Sequence, residues 1–162
     1  MDDLNKLSAF DAVNGIKKKR FTSQQLMADC ITRIEKREPS VRAWAHFDPE
    51  HAMAEAKKAD KKQDNGERLG PLHGIPVGIK DVIDAKGMPG ENGSPIFANR
   101  VPEEDSKAVT QLKNAGAIIM GKTVTTEMAN LAPSKTRNPQ DLKRSPGGSS
   151  SGSAASVADF HV

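Results

Sequence analysis

The chain has 162 residues, which suffices for one ordinary domain or for part of a larger one. Aromatic residues make up only 4% of it, which argues against a platform that stacks single-stranded nucleic acid on aromatic rings. The net charge of +3 is small, and the one basic run, 17–20, is typical of the solvated end of a helix.

The sequence favours a reducing, cytoplasmic setting. Its single cysteine excludes an internal disulfide framework, and no group of His, Cys, Asp or Glu has the spacing of a zinc site. The longest aliphatic run, 117–120, is too short to cross a membrane, and the first residues lack the features of a secretory signal. We therefore expect neither a membrane nor a nucleic acid as a partner.

The first 66 residues predict a helical region. Apolar residues at every third position predict a first helix that ends near Arg20: Leu4, Leu7, Phe10, Val13 and Ile16. A second helix opens at Thr22, because Gln25 three positions later completes a capping box, and Pro39 is expected beyond its end. Cys30 lies on the apolar face of this helix, which indicates a buried small hydrophobe rather than a nucleophile.

A third helix is predicted from Asp48 and Pro49 to Asn65. From Gly70 onward, short apolar segments alternate with glycine and proline. Residues 75–79 and 117–120 predict strands, with a helix between them that Asp105 and Ser106 can cap, and a short helix is expected around 126–131. Strand, helix and strand in this order predict an α/β sheet layer with functional groups at the strand ends.

The segment 145–153, rich in serine and glycine, admits three interpretations from composition alone. It is typical of a flexible linker, although it leads directly into a run of small residues with helical character. It also suits a loop that cradles phosphate with backbone N–H groups, although the lysine of a Walker motif is absent after Arg144. The third interpretation is a catalytic loop that carries serine hydroxyls.

Two long segments resemble the amidase signature family. They are Gly70-Pro-Leu-His-Gly-Ile-Pro-Val-Gly-Ile-Lys-Asp81 and Pro146-Gly-Gly-Ser-Ser-Ser-Gly-Ser-Ala-Ala155, and Gly121-Lys-Thr123, Glu127 and Asn138-Pro139 between them also match. The resemblance covers essentially the whole chain. It implies part of an amidase-signature α/β fold, a mixed β-sheet flanked by helices, with 1–66 as its helical region and 70–162 as the start of the catalytic core.

The resemblance also implies a site. Lys80 matches the catalytic lysine, Ser149 the bridging serine held by a cis peptide, and Ser150 a neighbour that supports their hydrogen bonds. The nucleophile is a third serine that we expect beyond Val162. Met128 stands where the family lines its acyl pocket, although a core methionine fits equally well. No metal or organic cofactor is implied.

Non-catalytic explanations of residues in the same motif remain open at this point. A lysine at a strand end is usually solvated or paired with a carboxylate, here Asp81 or Asp84. His73 next to Gly74 invites a role as a base, but its place in the motif indicates a structural residue.

The expected activity is hydrolysis of a carboxamide through an acyl-serine intermediate, with a small-molecule amide as substrate and this chain as a fragment inactive alone. One alternative is the amidase subunit of a glutamyl-tRNA amidotransferase, although Ser151 departs from the Ser-Ser-Gly-Gly-Ser form expected there and favours a stand-alone amidase. Another is a non-catalytic truncated product or assembly fragment. We also expect self-association or aggregation through an unpaired sheet edge.

Overall fold

A three-stranded mixed sheet forms the centre of the fold. The computed structural model describes residues 3–162. The strand order is β1-β3-β2, with β2 parallel and β1 antiparallel to the central β3, which confirms the predicted mixed α/β class. The strands are β1 (Trp44–Phe47), β2 (Pro76–Lys80) and β3 (Ile118–Thr123).

Five α-helices and three short 3-10 turns surround the sheet within the described residues. The helices are α1 (Ala9–Lys17), α2 (Ser23–Val41), α3 (Pro49–Asp64), α4 (Lys107–Asn114) and α5 (Ser151–Ala158). The 3-10 turns are Leu4–Lys6, Pro95–Phe97 and Glu127–Ala129.

The predicted first helix is interrupted. Leu4–Lys6 forms a separate 3-10 turn, and α1 begins only after Ser8. The Ser8 hydroxyl accepts a hydrogen bond from the Asp11 N–H at 3.1 Å, so this residue caps a new helix instead of continuing the first. Leu7 and Phe10 of the predicted apolar stripe are exposed, whereas Val13 and Ile16 are buried, so only the second half of the stripe faces the core.

The second helix confirms its predicted start but not its predicted end. The Gln25 N–H donates to the Thr22 hydroxyl at 3.1 Å, and the Thr22 N–H donates to the Gln25 side chain at 2.8 Å, so the capping box is complete. Pro39 lies inside α2 rather than beyond it. The proline removes one backbone hydrogen bond of α2, and the helix continues past it, since the Arg42 N–H still donates to the Glu38 carbonyl at 3.0 Å.

Strand β1 was missed by the sequence analysis. It follows α2 after a sharp turn in which the Glu38 carboxylate accepts the N–H groups of Ala43 and Trp44, both at 2.9 Å. Burial raises the pKa of Glu38, and these two hydrogen bonds oppose the shift. The turn brings Trp44 beside Thr123 at the end of β3.

Apolar side chains cover both faces of the sheet. On one face, Ile75, Ile118 and Met120 pack in a large core with α1, α2 and α3. On the other, Ile79 and Ile119 pack with Val109 of α4 and its neighbours. Cys30 is 1% exposed in the first core, and burial raises its pKa to about 12, which confirms its expected role as a buried hydrophobe.

A buried polar cluster ties the end of the chain to α2. Asp159 accepts hydrogen bonds from Arg33 at 2.7 Å and Arg37 at 2.8 Å. The indole N–H of Trp44 donates to His161 Nδ1 at 3.2 Å, so the neutral ring carries its proton on Nε2, 3.1 Å from Asp159. Burial would raise the pKa of Asp159, but the two guanidinium groups outweigh it and hold the pKa below its usual value.

Within residues 3–162, no helix is both long enough and apolar enough to span a bilayer.

We predict that the free energy of unfolding falls as the pH drops from about 7.5 to about 5.5. Burial lowers the pKa of both His161 and His73, so the unfolded chain takes up protons through the ordinary histidine range while the folded chain does not. The loss reaches at most about 1.4 kcal/mol per histidine for each pH unit. Urea unfolding at the two pH values measures it.

The matched variants are His161→Phe and His51→Gln, the second at an exposed position of α3. His161→Phe should reduce the pH dependence, whatever it does to stability at neutral pH, and His51→Gln should leave it unchanged. Equal pH dependence in the wild type and in His161→Phe would contradict the prediction.

Candidate active site

Lys80 and Ser149 meet at the carboxyl end of β2. The Lys80 side-chain nitrogen lies 2.7 Å from the Ser149 hydroxyl oxygen, which is a hydrogen-bond distance, although 69 positions of sequence separate the two residues. Parallel pairing places Lys80 beside Thr123 at the end of β3, and α5 packs against both strands. The side chain at the end of the strand therefore reaches the loop that precedes the helix.

Lys80 does not pair with either carboxylate that the sequence offered. Asp81 faces the buried Lys122, at 3.4 Å. Asp84 forms a bidentate pair with Arg100, with contacts of 2.7 and 2.6 Å, which holds the pKa of Asp84 below its usual value. The interpretation of Lys80 as an ion-pair partner is therefore wrong.

The backbone around Ser149 is held from several sides. The peptide bond between Gly148 and Ser149 is cis, as the resemblance implied. The Thr126 N–H donates to the Ser149 carbonyl at 3.0 Å, and the Ser151 hydroxyl donates to the Gly147 carbonyl at 2.8 Å. A Cβ at Gly148 would come within 2.8 Å of the Thr126 methyl group, so a larger residue would displace this contact.

The helix that follows is anchored directly to the sheet. The Gly152 N–H donates to the Val124 carbonyl at 2.9 Å, and a Cβ at Gly152 would lie 2.2 Å from the Ala43 carbonyl oxygen. These contacts fix the serine-rich segment to β3 and to the start of β1. The interpretation of 145–153 as a flexible linker is therefore wrong.

Ser150 lies next to the pair without joining it. Its side chain is exposed, and its hydroxyl makes no hydrogen bond to any residue within 3–162. Instead, the structure places a hydroxyl pair that the sequence analysis missed at the same strand ends, Thr123 and Ser153, 2.7 Å apart. No local signal in the sequence links these two residues, because they lie 30 positions apart.

Met128 lies at the surface. It belongs to the 3-10 turn Glu127–Ala129, its side chain is 49% exposed, and its N–H donates to the Asn92 carbonyl at 2.8 Å. This exposure contradicts the alternative of a core methionine. Its role at an acyl pocket stays a prediction.

A cavity of about 500 Å³ lies beside the loops that follow β2 and β3. Asp81, Gly93, Thr125 and Glu127 are among the residues that line it, and Lys80 and Ser149 are not. The Ser94 hydroxyl donates to the Glu127 carboxylate at 2.8 Å, which joins the two loops at its rim.

A buried ion pair supports the turn that follows Lys80. Lys122 is fully buried, and its ammonium group donates to Asp81 and to the Pro89 carbonyl, at 3.4 and 3.2 Å. Asp81 in turn accepts the Gly93 N–H at 3.0 Å. Burial lowers the pKa of Lys122, and the neighbouring carboxylate opposes the shift. The pair thus connects the strand to the long loop 84–102.

His73 lies at the opposite end of β2 from Lys80, since it precedes the first strand residue, Pro76. The ring is buried, which lowers its pKa, and its Nε2 atom has no hydrogen-bond partner within residues 3–162. This position is remote from Ser149 and agrees with the interpretation of His73 as a residue outside the catalytic pair.

The arrangement is a lysine amine bonded to a serine hydroxyl on a glycine-rich loop, which is the layout of a serine–lysine hydrolase. The family model described as Amidase matches residues 25–162, and the chain therefore belongs to the amidase family.

Relatives and solved structures agree with this membership. A glutamyl-tRNA(Gln) amidotransferase subunit from Chloroflexus aggregans is 40% identical over all of this chain, and its counterpart from Desulfatibacillum aliphaticivorans is 44% identical over 96% of it. The peptide amidase of Stenotrophomonas maltophilia superposes with a TM-score of 0.86 at 33% identity, over 94% of this chain and 34% of that one. The chain spans about a third of the length of these curated relatives, 34% and 33%.

We predict that Lys122→Met lowers the free energy of unfolding by about 3–5 kcal/mol, because Asp81 then remains buried without a counter-charge. Adding Asp81→Asn should recover part of that loss by removing the stranded charge. Urea unfolding of both variants measures the difference.

Lys143→Met, at an exposed lysine, is the matched control and should change stability little. A Lys122→Met variant as stable as this control would show that the pair does not support the fold.

Proposed function

We propose that this chain carries the lysine–serine part of an amidase active site that hydrolyses a linear carboxamide. The observation that carries the proposal is the 2.7 Å hydrogen bond between Lys80 and Ser149, on a loop tied to the central strand. Membership of the amidase family supports it. The catalytic roles given to Lys80 and Ser149 are part of the proposal, and the supporting role expected of Ser150 rests on no hydrogen bond within residues 3–162.

The chemistry follows from which group holds each proton. In the proposed relay, the Lys80 amine accepts the proton of the Ser149 hydroxyl, and Ser149 accepts the proton of the nucleophilic serine, which we expect C-terminal to Val162. The nucleophile's oxygen then bonds to the carboxamide carbon, and the C–N bond breaks as the relayed proton passes to the leaving nitrogen. Water cleaves the resulting ester to a carboxylate and regenerates the serine.

A second candidate is the amidase subunit of a tRNA-dependent amidotransferase. The observation that favours it is the name of the relatives quoted above, at 40% and 44% identity. In that case the amide is glutamine, its ammonia passes to a partner enzyme, and the assembly acts on charged tRNA. The departure at Ser151 remains the sequence feature that favours a stand-alone amidase. A cytoplasmic location fits both candidates.

The decisive experiment is labelling with a serine-directed fluorophosphonate. We expect no labelling or amide hydrolysis by the 162-residue chain, because loss of the nucleophile of such an enzyme removes about six orders of magnitude of rate. A longer chain, completed with the gene's own downstream sequence or with the remainder of the Chloroflexus relative, should gain both properties.

In that longer chain, Lys80→Ala should reduce the rate by about a hundredfold or more, and Lys143→Ala, at an exposed lysine, should not. Stoichiometric labelling of the 162-residue chain at Ser149 or Ser150 would overturn the relay. A longer chain that hydrolyses glutamine only with partner subunits present would favour the amidotransferase over the stand-alone amidase.

We also propose that the 162-residue chain self-associates. Within residues 3–162, β1 and β2 each have a hydrogen-bonded neighbour on one side only, and unpaired strand edges promote association. Light scattering coupled to size exclusion should show species larger than the monomer. A monodisperse monomer with a sharp unfolding transition would contradict this and identify the chain as a self-sufficient domain.

A further inference from the structure

A β-bulge in β3 sets which residue lies opposite Lys80. The pairing of β2 with β3 is regular except at Met120, an extra residue on β3 that has no partner on β2. Without this extra residue, Lys122 would lie opposite Lys80. With it, Thr123 lies there instead, and the side chains of directly opposed residues share one face of a sheet. The bulge therefore brings the Thr123 side chain to the face that carries Lys80.

The Thr123 side chain packs beneath α5. It is fully buried, and its hydroxyl oxygen lies 2.7 Å from that of Ser153, in the first turn of the helix. Its methyl group fills the space beside Gly78, where a Cβ would approach it to 2.8 Å. Within residues 3–162, the hydroxyl pair formed by Thr123 and Ser153 is the one hydrogen bond between α5 and a strand of the sheet.

The hydroxyl pair restricts how α5 can move. The Gly152 N–H donates to the Val124 carbonyl at 2.9 Å, which holds one point of the helix and leaves it able to pivot there. The hydroxyl pair adds a second point one residue further along α5, and two points restrict the pivot. Because Ser149 lies just before α5, the direction of the helix sets the distance from the Ser149 hydroxyl to Lys80.

Burial decides which hydroxyl of the pair donates. Thr123 is 0% exposed, and its hydroxyl has no hydrogen-bond partner other than Ser153 within residues 3–162. A buried hydroxyl proton without an acceptor costs free energy, so Thr123 donates and Ser153 accepts. Ser153 is partly exposed, and its own proton can reach water. Removing the Ser153 hydroxyl therefore strands a buried proton, whereas removing the Thr123 hydroxyl does not.

We propose that Thr123 and Ser153 are positioning residues, which keep the Ser149 hydroxyl within reach of Lys80 by holding the first turn of α5 against β3. This inference rests on the proposed function, because it gives the hydroxyl pair a part in the same relay. The pair acts through the direction of α5, so its loss lowers the rate of the chemical step and leaves substrate binding largely intact.

The test is kinetic, in the longer chain described above, with glutamine or a 4-nitroanilide as the amide. The variants are Thr123→Val, Ser153→Ala and the two combined. We expect kcat to fall by about tenfold or more in all three, with KM within about twofold of the wild type. Thr123→Ser keeps the donor and should hold kcat within about threefold of the wild type.

Urea unfolding of the same variants separates positioning from a merely structural role. Ser153→Ala should be the least stable, because it strands the Thr123 proton, and adding Thr123→Val should recover stability. If the pair only stabilised the fold, kcat would recover with stability in the double variant, and that result would overturn the proposal. Should Ser153→Ala alone not fold, Thr123→Val and the double variant still decide the matter.

The matched control is Thr110→Val/Ser40→Ala, which makes the same two changes at exposed positions of α4 and α2. It should leave kcat and stability close to those of the wild type. A loss of kcat in the control equal to that of the hydroxyl-pair variants, or no loss in either, would contradict the positioning role.

A crystal structure of the Thr123→Val/Ser153→Ala variant distinguishes failure of this inference from failure of the proposed function. We expect the Lys80 Nζ to Ser149 Oγ distance to lengthen from 2.7 Å to more than about 3.5 Å. An unchanged distance would refute the positioning role, whatever the activity. A wild-type longer chain that hydrolyses no amide would refute the proposed function, and the distance alone would then decide whether the pair positions Ser149.

Discussion

The parallel pairing of β2 and β3 is the constraint on which the site depends. It sets Lys80 level with Thr123, so that the lysine and the serine-bearing loop emerge at the same edge of the sheet. A shift of one residue in this register would turn the Lys80 side chain to the opposite face. The hydrogen bond from Gly152 to Val124 then fixes the loop to the same strand. Backbone hydrogen bonds, rather than the side chains of Lys80 and Ser149 themselves, therefore bring the two residues together.

Charge is arranged so that Lys80 stays free to contact Ser149. The strand end has two nearby carboxylates, and each is bound to another cation, Asp81 to Lys122 and Asp84 to Arg100. Both carboxylates of the loop after β2 are therefore paired with other cations, and neither forms an ion pair with Lys80. The buried position of Lys122 makes the first of these pairs costly to break, which suits a contact that holds a turn in one conformation.

Much of the architecture could be predicted because local signals act at short range. The capping box at Thr22, the proline after Asp48 and the serine cap before α4 each mark a helix start within a few residues. Strand β1 was not predicted because apolar and polar residues hardly alternate along its four positions. Its place also depends on the Glu38 carboxylate, which binds the turn before it. The end of α2 was predicted wrongly because Pro39 weakens the helix without ending it, and α2 continues to Val41.

The site was predictable only in part, for a similar reason. The contact between Lys80 and Ser149 followed from two motifs, but the partners of Asp81 and Asp84 are Lys122 and Arg100, which are distant in sequence. The same holds for the pairing of Thr123 with Ser153. The spacing of residues along the chain does not reveal such partners, because they meet only when the loops that follow the strands are folded.

The bond between Trp44 and His161 has a practical consequence. The chain contains one tryptophan, and its indole N–H donates a hydrogen bond to the His161 ring. That ring in turn contacts the buried carboxylate of Asp159. All of the indole fluorescence therefore originates where β1 meets the C-terminal segment. Intensity and emission wavelength therefore report the docking of that segment together with the packing of α1, α2 and α3, because the buried indole belongs to the core that these helices form with the sheet.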